Sequence, residues 1–308
     1  MKWSAANIPD QSGRVIIITG ANSGIGFWMA KHLSQKGALI IMACRSEERA
    51  QAAKGKILKQ QSDAKINIEL LDLASLKSVK EFSEKFHQKY DRLDILINNA
   101  GVMMTPKWQT EDGFEYQIGI NHLGHFALTN QLLSLLEKTE NSRVVSLSSM
   151  AHKSGKINLG DLNWKDKKYS RWKAYAQSKL ANLMFAIELD RKLQARNSTT
   201  RSLAAHPGVS RTNLGRYFPL GNFGLFFTQA PQKGALPALR AATDLEATQY
   251  PYWGPRGIME AAGYPKKATI KKKAKNQNVA NQFWKESETL TKTTFPEASG
   301  SSKIGAEE

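Results

Sequence analysis

The sequence predicts an α/β protein built on one doubly wound parallel sheet, and three observations carry that prediction. Short apolar runs, rich in β-branched residues, recur at residues 15–18, 38–43, 66–71, 95–97, 144–147 and 200–205. Stretches with the apolar periodicity of helices separate them. The first run breaks at Gly20, Gly24 and Gly26 directly into a helical pattern, Ile25, Met29 and Leu33. Parallel strands need long crossover connections, and helices in those crossovers cover both faces of the sheet.

Val15, Ile16, Ile17 and Ile18 show no polar alternation and read as a strand buried on both faces. Gly37 ends the first helix, and the second strand stops at Cys44 and Arg45. A helix over 47–59 leads to the third strand, which runs into Asp72 and Leu73. After a helix over 76–86 the fourth strand opens onto Asn98, Asn99, Ala100 and Gly101. A long helix over 114–136 precedes the fifth strand, which ends at Ser148 and Ser149. The next helix, 175–193, returns the chain to the sixth strand and to His206, Pro207 and Gly208.

Two stretches break this rhythm. Residues 150–174 are polar, with Trp164, Tyr169 and Trp172 among lysines, and read as an excursion loop above the strand ends. Residues 212–230 hold Tyr217, Phe218, Phe223, Phe226 and Phe227 between glycines. Ligands of such sheets bind beyond the carboxyl ends of the strands, so both stretches are candidate walls of a substrate pocket, with surface packing as the alternative. No linker or repeat divides the chain: residues 1–308 read as a single domain, with a core over about 10–260 and a basic extension over about 261–308.

The 308 residues are 41% hydrophobic, enough for a sizeable core, and 44 Lys+Arg against 27 Asp+Glu leave a net charge of +17. Without zinc-ligand spacing, an arginine-rich helix or interleaved basic and aromatic residues, no nucleic acid is expected as partner. Lys266, Lys267, Lys271, Lys272, Lys273 and Lys275 crowd together and read as a solvated loop or tail. One cysteine, Cys44, excludes an intrachain disulfide and supports no metal site; none is expected. The amino terminus has no apolar signal region and no run of about 18 apolar residues appears, so the expectation is a cytoplasmic protein with at most weak peripheral contact with anionic lipid.

The glycine turn is either an ordinary tight βα turn or a pyrophosphate seat, where glycine lets the backbone approach and the helix start attracts negative charge. Tyr175 and Lys179 lie four residues apart, neighbours on one helical face, and by themselves are either a surface pair or a proton-transfer pair. A cation about 5 Å away at an effective dielectric near 20 favours phenolate by roughly 3 kcal/mol, on the order of two pKa units, which would bring the phenol toward neutral pH.

Taken jointly, Thr19-Gly20-x-x-x-Gly24-Ile25-Gly26, Asp72-Leu73, Asn98-Asn99-Ala100-Gly101, Asn121, Ser149, Tyr175-x-x-x-Lys179 and Pro207-Gly208 resemble the short-chain dehydrogenase/reductases in order and spacing. Ala43-Cys44-Arg45, Asn121-His122-Leu123-Gly124-His125-Phe126, Ser148-Ser149-Met150-Ala151-His152 and His206-Pro207-Gly208 are similar to the retinol dehydrogenase-like branch. The resemblance implies a Rossmann sheet with Tyr175 as general acid and base. Lys179 would hold the nicotinamide ribose and lower the Tyr175 pKa. Ser149 would bond the substrate oxygen, with Ser148 as runner-up, and Asn121 would hold a water that relays protons from Lys179. Thr19, Gly20, Asn22, Ser23, Gly24, Ile25, Gly26, Asp72, Leu73, Ala100 and Gly101 fall to the cofactor, and Asn98 packs beside it. Pro207, Gly208, Val209 and Thr212 would meet the nicotinamide amide or the phosphates. His152 and His206 are expected to be structural.

Arg45, with no acid before Glu47, favours NADP(H) over NAD, because a guanidinium fits a 2′-phosphate and a carboxylate fits the free ribose hydroxyl. The implied activity is hydride transfer between NADP(H) and the carbonyl or alcohol of an apolar substrate: a retinal-like or long-chain aldehyde, or a bulky ketone. Alternatives are a light-dependent pigment reductase of the protochlorophyllide type and a non-catalytic NADPH-binding sensor. A homo-oligomer is in keeping with the resemblance.

Overall fold

The computed structural model describes residues 2–210 and 229–296. The strands are β1 (Val15–Thr19), β2 (Leu39–Cys44), β3 (Ile66–Leu70), β4 (Ile95–Asn98), β5 (Arg143–Leu147), β6 (Arg201–Ala205), β7 (Tyr252–Pro255) and β8 (Pro265–Lys267). Among the described residues they form one sheet in the order β3-β2-β1-β4-β5-β6-β7-β8. All pairs are parallel except β7 with β8, an antiparallel edge beyond the six strands read from the sequence.

The main helices are α1 (Gly24–Ser34), α2 (Glu47–Leu58), α3 (Leu76–Lys89), α4 (Tyr116–Ile118), α5 (Gly124–Lys138), α6 (Arg171–Gln194), α7 (Pro231–Gly234), α8 (Leu236–Thr243) and α9 (Gln277–Thr291). The unbroken apolar run of β1 follows from helices on both sides. Ile16 and Ile18 pack with Met29, Leu33, Ile40, Met42 and Leu239. Ile17 points the other way, to Ile41, Phe82, Leu96, Phe126, Val144 and Phe185. β1 lies between β2 and β4, so the chain leaves it to one side and returns on the other. The crevice at such a switch point is where this architecture holds ligands, and the glycine turn opens there.

Two expectations change. The helix expected over 114–136 is interrupted: α4 passes through a π turn, Gly119–Leu123, into α5. The helix expected from 175 begins a turn earlier, where the Ser170 hydroxyl accepts the Lys173 N–H at 3.4 Å, so Tyr175 and Lys179 sit within α6. The lysine run is solvent-exposed, as expected of a solvated loop or tail, yet it is ordered: Lys266 and Lys267 belong to β8, and Lys273 Nζ donates to the Gly155 carbonyl at 2.6 Å. Beyond it α9 packs on α5 and α6, burying Phe283 and Trp284. Residues 150–174 bury Leu162 and Trp164. The aromatic stretch at 212–230 falls, but for its last two residues, outside the described ones.

Candidate active site

At the end of β1 the Thr19 hydroxyl is fully buried and accepts the backbone N–H groups of Asn99 and Ala100, each at 2.9 Å. Asn99 answers by donating its side-chain amide to the Thr19 carbonyl at 2.7 Å. These bonds lock the glycine turn to the end of β4. Gly20 and Gly24 take φ of +66 and +55, the left-handed region that glycine enters without cost. A Cβ on Gly26 would overlap the Gly20 carbonyl and lie 2.6 Å from Asn99 Nδ2, so only glycine lets α1 start this close. The first amides of α1 have no acceptor within the helix, and Ser23 at its N-cap makes no capping bond with its side chain.

Beside this turn is a cavity of about 590 Å³, walled by Asn22, Ser23, Gly24 and Phe27 on one side and by Arg49, Ala52, Ala53 and Lys56 of α2 on the other. Two cations and no carboxylate face it, which fits an anionic ligand. Arg45 does not line it: its guanidinium turns to the Tyr116 hydroxyl at 3.5 Å, and that bond, with the Asp72 carboxylate nearby, holds its pKa up. Asp72 caps its own turn by accepting the Ala74 N–H at 2.9 Å, and Leu73 is buried. Asn98 points into the protein, donating to Thr129 Oγ1 at 3.0 Å; its neighbour Asn99 is the one that reaches the turn.

Gly101 joins the two halves of the site, since a Cβ there would lie 3.0 Å from Asn121 Oδ1 and 3.5 Å from Lys179 Nζ. Lys179 Nζ donates to the Leu147 carbonyl at 3.1 Å and stands 5.8 Å from the centre of the Tyr175 ring. Ser149, just past β5, lies close enough to the Tyr175 phenol to pull its pKa down. Ser148 turns away and donates to the Lys179 carbonyl at 2.7 Å, so position 149 is the one presented to the phenol. Burial pushes Tyr175 up to about 12, against a downward pull from Ser149, and pushes Lys179 down to about 8. The net shift of the phenol is thus upward, opposite to the lowering expected from Lys179, because burying a phenolate is costly.

Asn121 sits in the π turn, a geometry often found at functional sites. Both of its amide N–H groups are used, Nδ2 donating to the Val102 carbonyl and to Ser178 Oγ, both at 2.9 Å, while Oδ1 accepts the Val102 N–H at 2.8 Å and keeps one lone pair. The sequence reading gave no role to His125. Its Nε2 lies 2.9 Å from Thr19 Oγ1 and its Nδ1 3.1 Å from the Asn121 carbonyl. Thr19 already accepts two N–H groups, so its proton goes to Nε2 and Nδ1–H donates to Asn121. Burial pushes His125 down to about 4 and keeps it neutral, as this tautomer requires. One imidazole thereby ties the glycine turn to the π turn.

After β6, Gly208 takes φ of +66 and donates its N–H to His206 Nδ1 at 3.3 Å, while the Val209 N–H donates to the Ala261 carbonyl at 2.8 Å. His206 is fully buried, and His152 Nδ1 lies 2.7 Å from the Ser149 carbonyl. Thr212 lies outside the described residues. No helix among the described residues is long and apolar enough to cross a membrane.

Comparison with known proteins agrees with this geometry. The family model "short chain dehydrogenase" matches residues 14–219. Retinol dehydrogenase 13 of Mus musculus is 43% identical over 299 residues, which cover 93% of this chain and 85% of the relative. Retinol dehydrogenase 14 of Homo sapiens is 39% identical over 301 residues, 90% of this chain and 86% of the relative. A crystal structure of an uncharacterized protein from Mycobacterium Paratuberculosis shares 43% identity at a TM-score of 0.82, covering 96% of this chain and 100% of that one. A short chain dehydrogenase from Shigella flexneri, solved in complex with NADP, shares 25% identity at a TM-score of 0.63, over 78% of this chain and 95% of that one. This chain therefore belongs to the short chain dehydrogenase family, in its retinol dehydrogenase-like branch.

Proposed function

We propose that this chain is an NADP(H)-dependent oxidoreductase acting on the carbonyl or alcohol of an apolar substrate, with Tyr175 as its acid and base. The observation that carries the reading is the meeting beside the glycine turn, at Gly101, of Asn121 and Lys179, with Lys179 Nζ 5.8 Å from the centre of the Tyr175 ring. When bound, the nicotinamide gives or takes the hydride at the reacting carbon. The cradle fits such a group: Ser23, Gly24, Ile25 and Gly26 at the start of α1 supply amides without a helical acceptor for a pyrophosphate, and Arg49 and Arg45 offer cations for a 2′-phosphate. The Shigella flexneri neighbour solved with NADP supports that choice of cofactor.

A phenol held near 12 is protonated at neutral pH and is placed to donate to a carbonyl oxygen that Ser149 also bonds. Lys179 binds the ribose and stabilises the phenolate left behind. A water on the remaining lone pair of Asn121 Oδ1 would relay a proton from solvent toward Lys179, in keeping with the role that the family resemblance gives Asn121. An apolar substrate is in keeping with relatives named retinol dehydrogenases. The test is NADPH and NADH consumption by purified protein against retinal, long-chain aldehydes and bulky ketones, with Tyr175→Phe as control. Turnover that prefers NADPH and is lost in the variant is expected; turnover that survives Tyr175→Phe overturns the assignment.

A further inference from the structure

Glu260 belongs to none of the motifs and lies in the loop between β7 and β8, yet it is only 5% exposed. Met259 and Glu260 both take the left-handed backbone conformation, φ 51 and 60, unfavourable for side chains of their kind. Ile258 and Met259 are 89% and 82% exposed, so their side chains do not hold the loop. The Glu260 carboxylate does. One oxygen accepts the Thr269 N–H and hydroxyl, both at 2.8 Å. The other lies 3.2 Å from Lys153 Nζ and 3.3 Å from His206 Nε2.

Those two partners belong to the two walls of the active site. Lys153 ends the single turn Met150–Lys153 that Ser149 caps. His206 precedes the turn at 207–209 and takes the Gly208 N–H on Nδ1, which leaves the proton of the neutral imidazole on Nε2, 3.3 Å from the Glu260 carboxylate. The Val209 N–H is held by Ala261, next to Glu260 in the chain. β7 makes room for the imidazole with Gly254, where a Cβ would overlap His206 Nε2.

We propose that Glu260 is a positioning residue: through Lys153 and His206 it fixes Ser149 and the 207–209 turn at one separation, so that substrate oxygen and nicotinamide meet in register. This rests on the oxidoreductase reading above, in which Ser149 serves the substrate and Gly208 and Val209 serve the cofactor. It acts through other groups and touches neither ligand.

The experiment compares wild type, Glu260→Gln and Lys153→Met by amide hydrogen exchange, NADPH binding and steady-state kinetics. Glutamine keeps one acceptor for Thr269 and so preserves the loop, but it presents no charge to Lys153. About a tenfold faster exchange is expected in both 149–153 and 206–209 for Glu260→Gln, with about a tenfold weaker NADPH affinity and a lower kcat. Lys153→Met, whose side chain is partly exposed, is expected to loosen 149–153 alone, and it keeps the test open if Glu260→Gln fails to fold. Unchanged exchange in both segments overturns the proposal, as does faster exchange with wild-type affinity and kcat, which would make Glu260 a purely structural residue. A wild-type chain that binds neither NADPH nor NADH overturns the oxidoreductase reading, and the role of Glu260 with it, whatever the exchange shows.

Discussion

Replacing Arg45 and Arg49 by alanine, singly and together, separates the two cations that flank the glycine turn. Arg49 faces the cavity beside Ser23 and has no carboxylate partner among the described residues, so it is available to a phosphate as it stands. Arg45 must first leave the Tyr116 hydroxyl, and at 3.5 Å that bond is weak enough to exchange. A charge-assisted hydrogen bond is worth about 1.5–3 kcal/mol, and exposure to water places both arginines at the low end, roughly tenfold in affinity each. Arg49→Ala is therefore expected to weaken NADPH binding about tenfold, Arg45→Ala severalfold, and the pair on the order of fiftyfold. NADH, without the 2′-phosphate, should bind all four proteins alike. The assay is titration with both dinucleotides at one fixed ionic strength, since salt screens exposed charges. A double variant that keeps the wild-type ratio of NADPH to NADH affinity refutes the reasoning. A wild type without preference refutes the choice of NADP(H) itself.

Ser149→Ala should lower kcat/KM by about a hundredfold at near wild-type stability, whereas Ser148→Ala, which loses a bond to the Lys179 carbonyl, should instead lower the melting temperature; kinetics and thermal unfolding on the two variants separate them. Thr19→Val leaves the Ala100 N–H without an acceptor, while the Asn99 N–H keeps the Ile97 carbonyl, and should cost about 1–3 kcal/mol in urea unfolding. His122 and His125 are held neutral by burial, at about 3 and about 4 against an ordinary 6.5, so the unfolded chain binds protons that the folded one refuses. Stability is full above about pH 6.5 and falls as pH drops toward 4, by up to about 1.4 kcal/mol per pH unit for each histidine; His122→Phe should remove one histidine's share of that slope in denaturant titrations at several pH values.

β1, β2, β4, β5 and β6 were legible because both faces of each are covered and the strands read as largely apolar runs, whereas β3, at the sheet edge with Asn67 and Leu70 exposed, shows instead the alternation Ile66, Ile68, Leu70. β7 and β8 were not: Gly254, Pro255 and Pro265 interrupt the pattern, and Lys266 and Lys267 lie exposed on the edge. The start of α6 was hidden because Arg171, Trp172 and Lys173 are exposed and carry no apolar stripe. In the site, Ser149, Tyr175, Lys179 and Asn121 stand at motif positions. Asn99, His125, Arg49 and Glu260 were missed because their partners are distant in sequence: Thr19 for the first two, Lys153 and His206 for the last. The nearest usable signal was the set of histidines at 122, 125, 152 and 206, each of which is buried.

The structure also changes where the Tyr175–Lys179 pair acts. Sequence spacing put the ammonium near the phenol and credited it with lowering the resting pKa. In the folded protein burial opposes charge on both groups, raising the phenol to about 12 and lowering the ammonium to about 8. The resting site thus keeps its proton on Tyr175, ready to be given. In the proposed reaction the proton would move to a substrate oxygen and leave a phenolate whose ring centre stands 5.8 Å from Lys179 Nζ, and two unit charges at about that separation interact by roughly 3 kcal/mol at an effective dielectric near 20. That energy is absent before transfer and present as charge develops, which is the condition for an interaction to lower a barrier rather than merely to hold a reactant. Burial and the cation are therefore not rivals: burial makes the charge costly everywhere except at the one place where Lys179 offsets it.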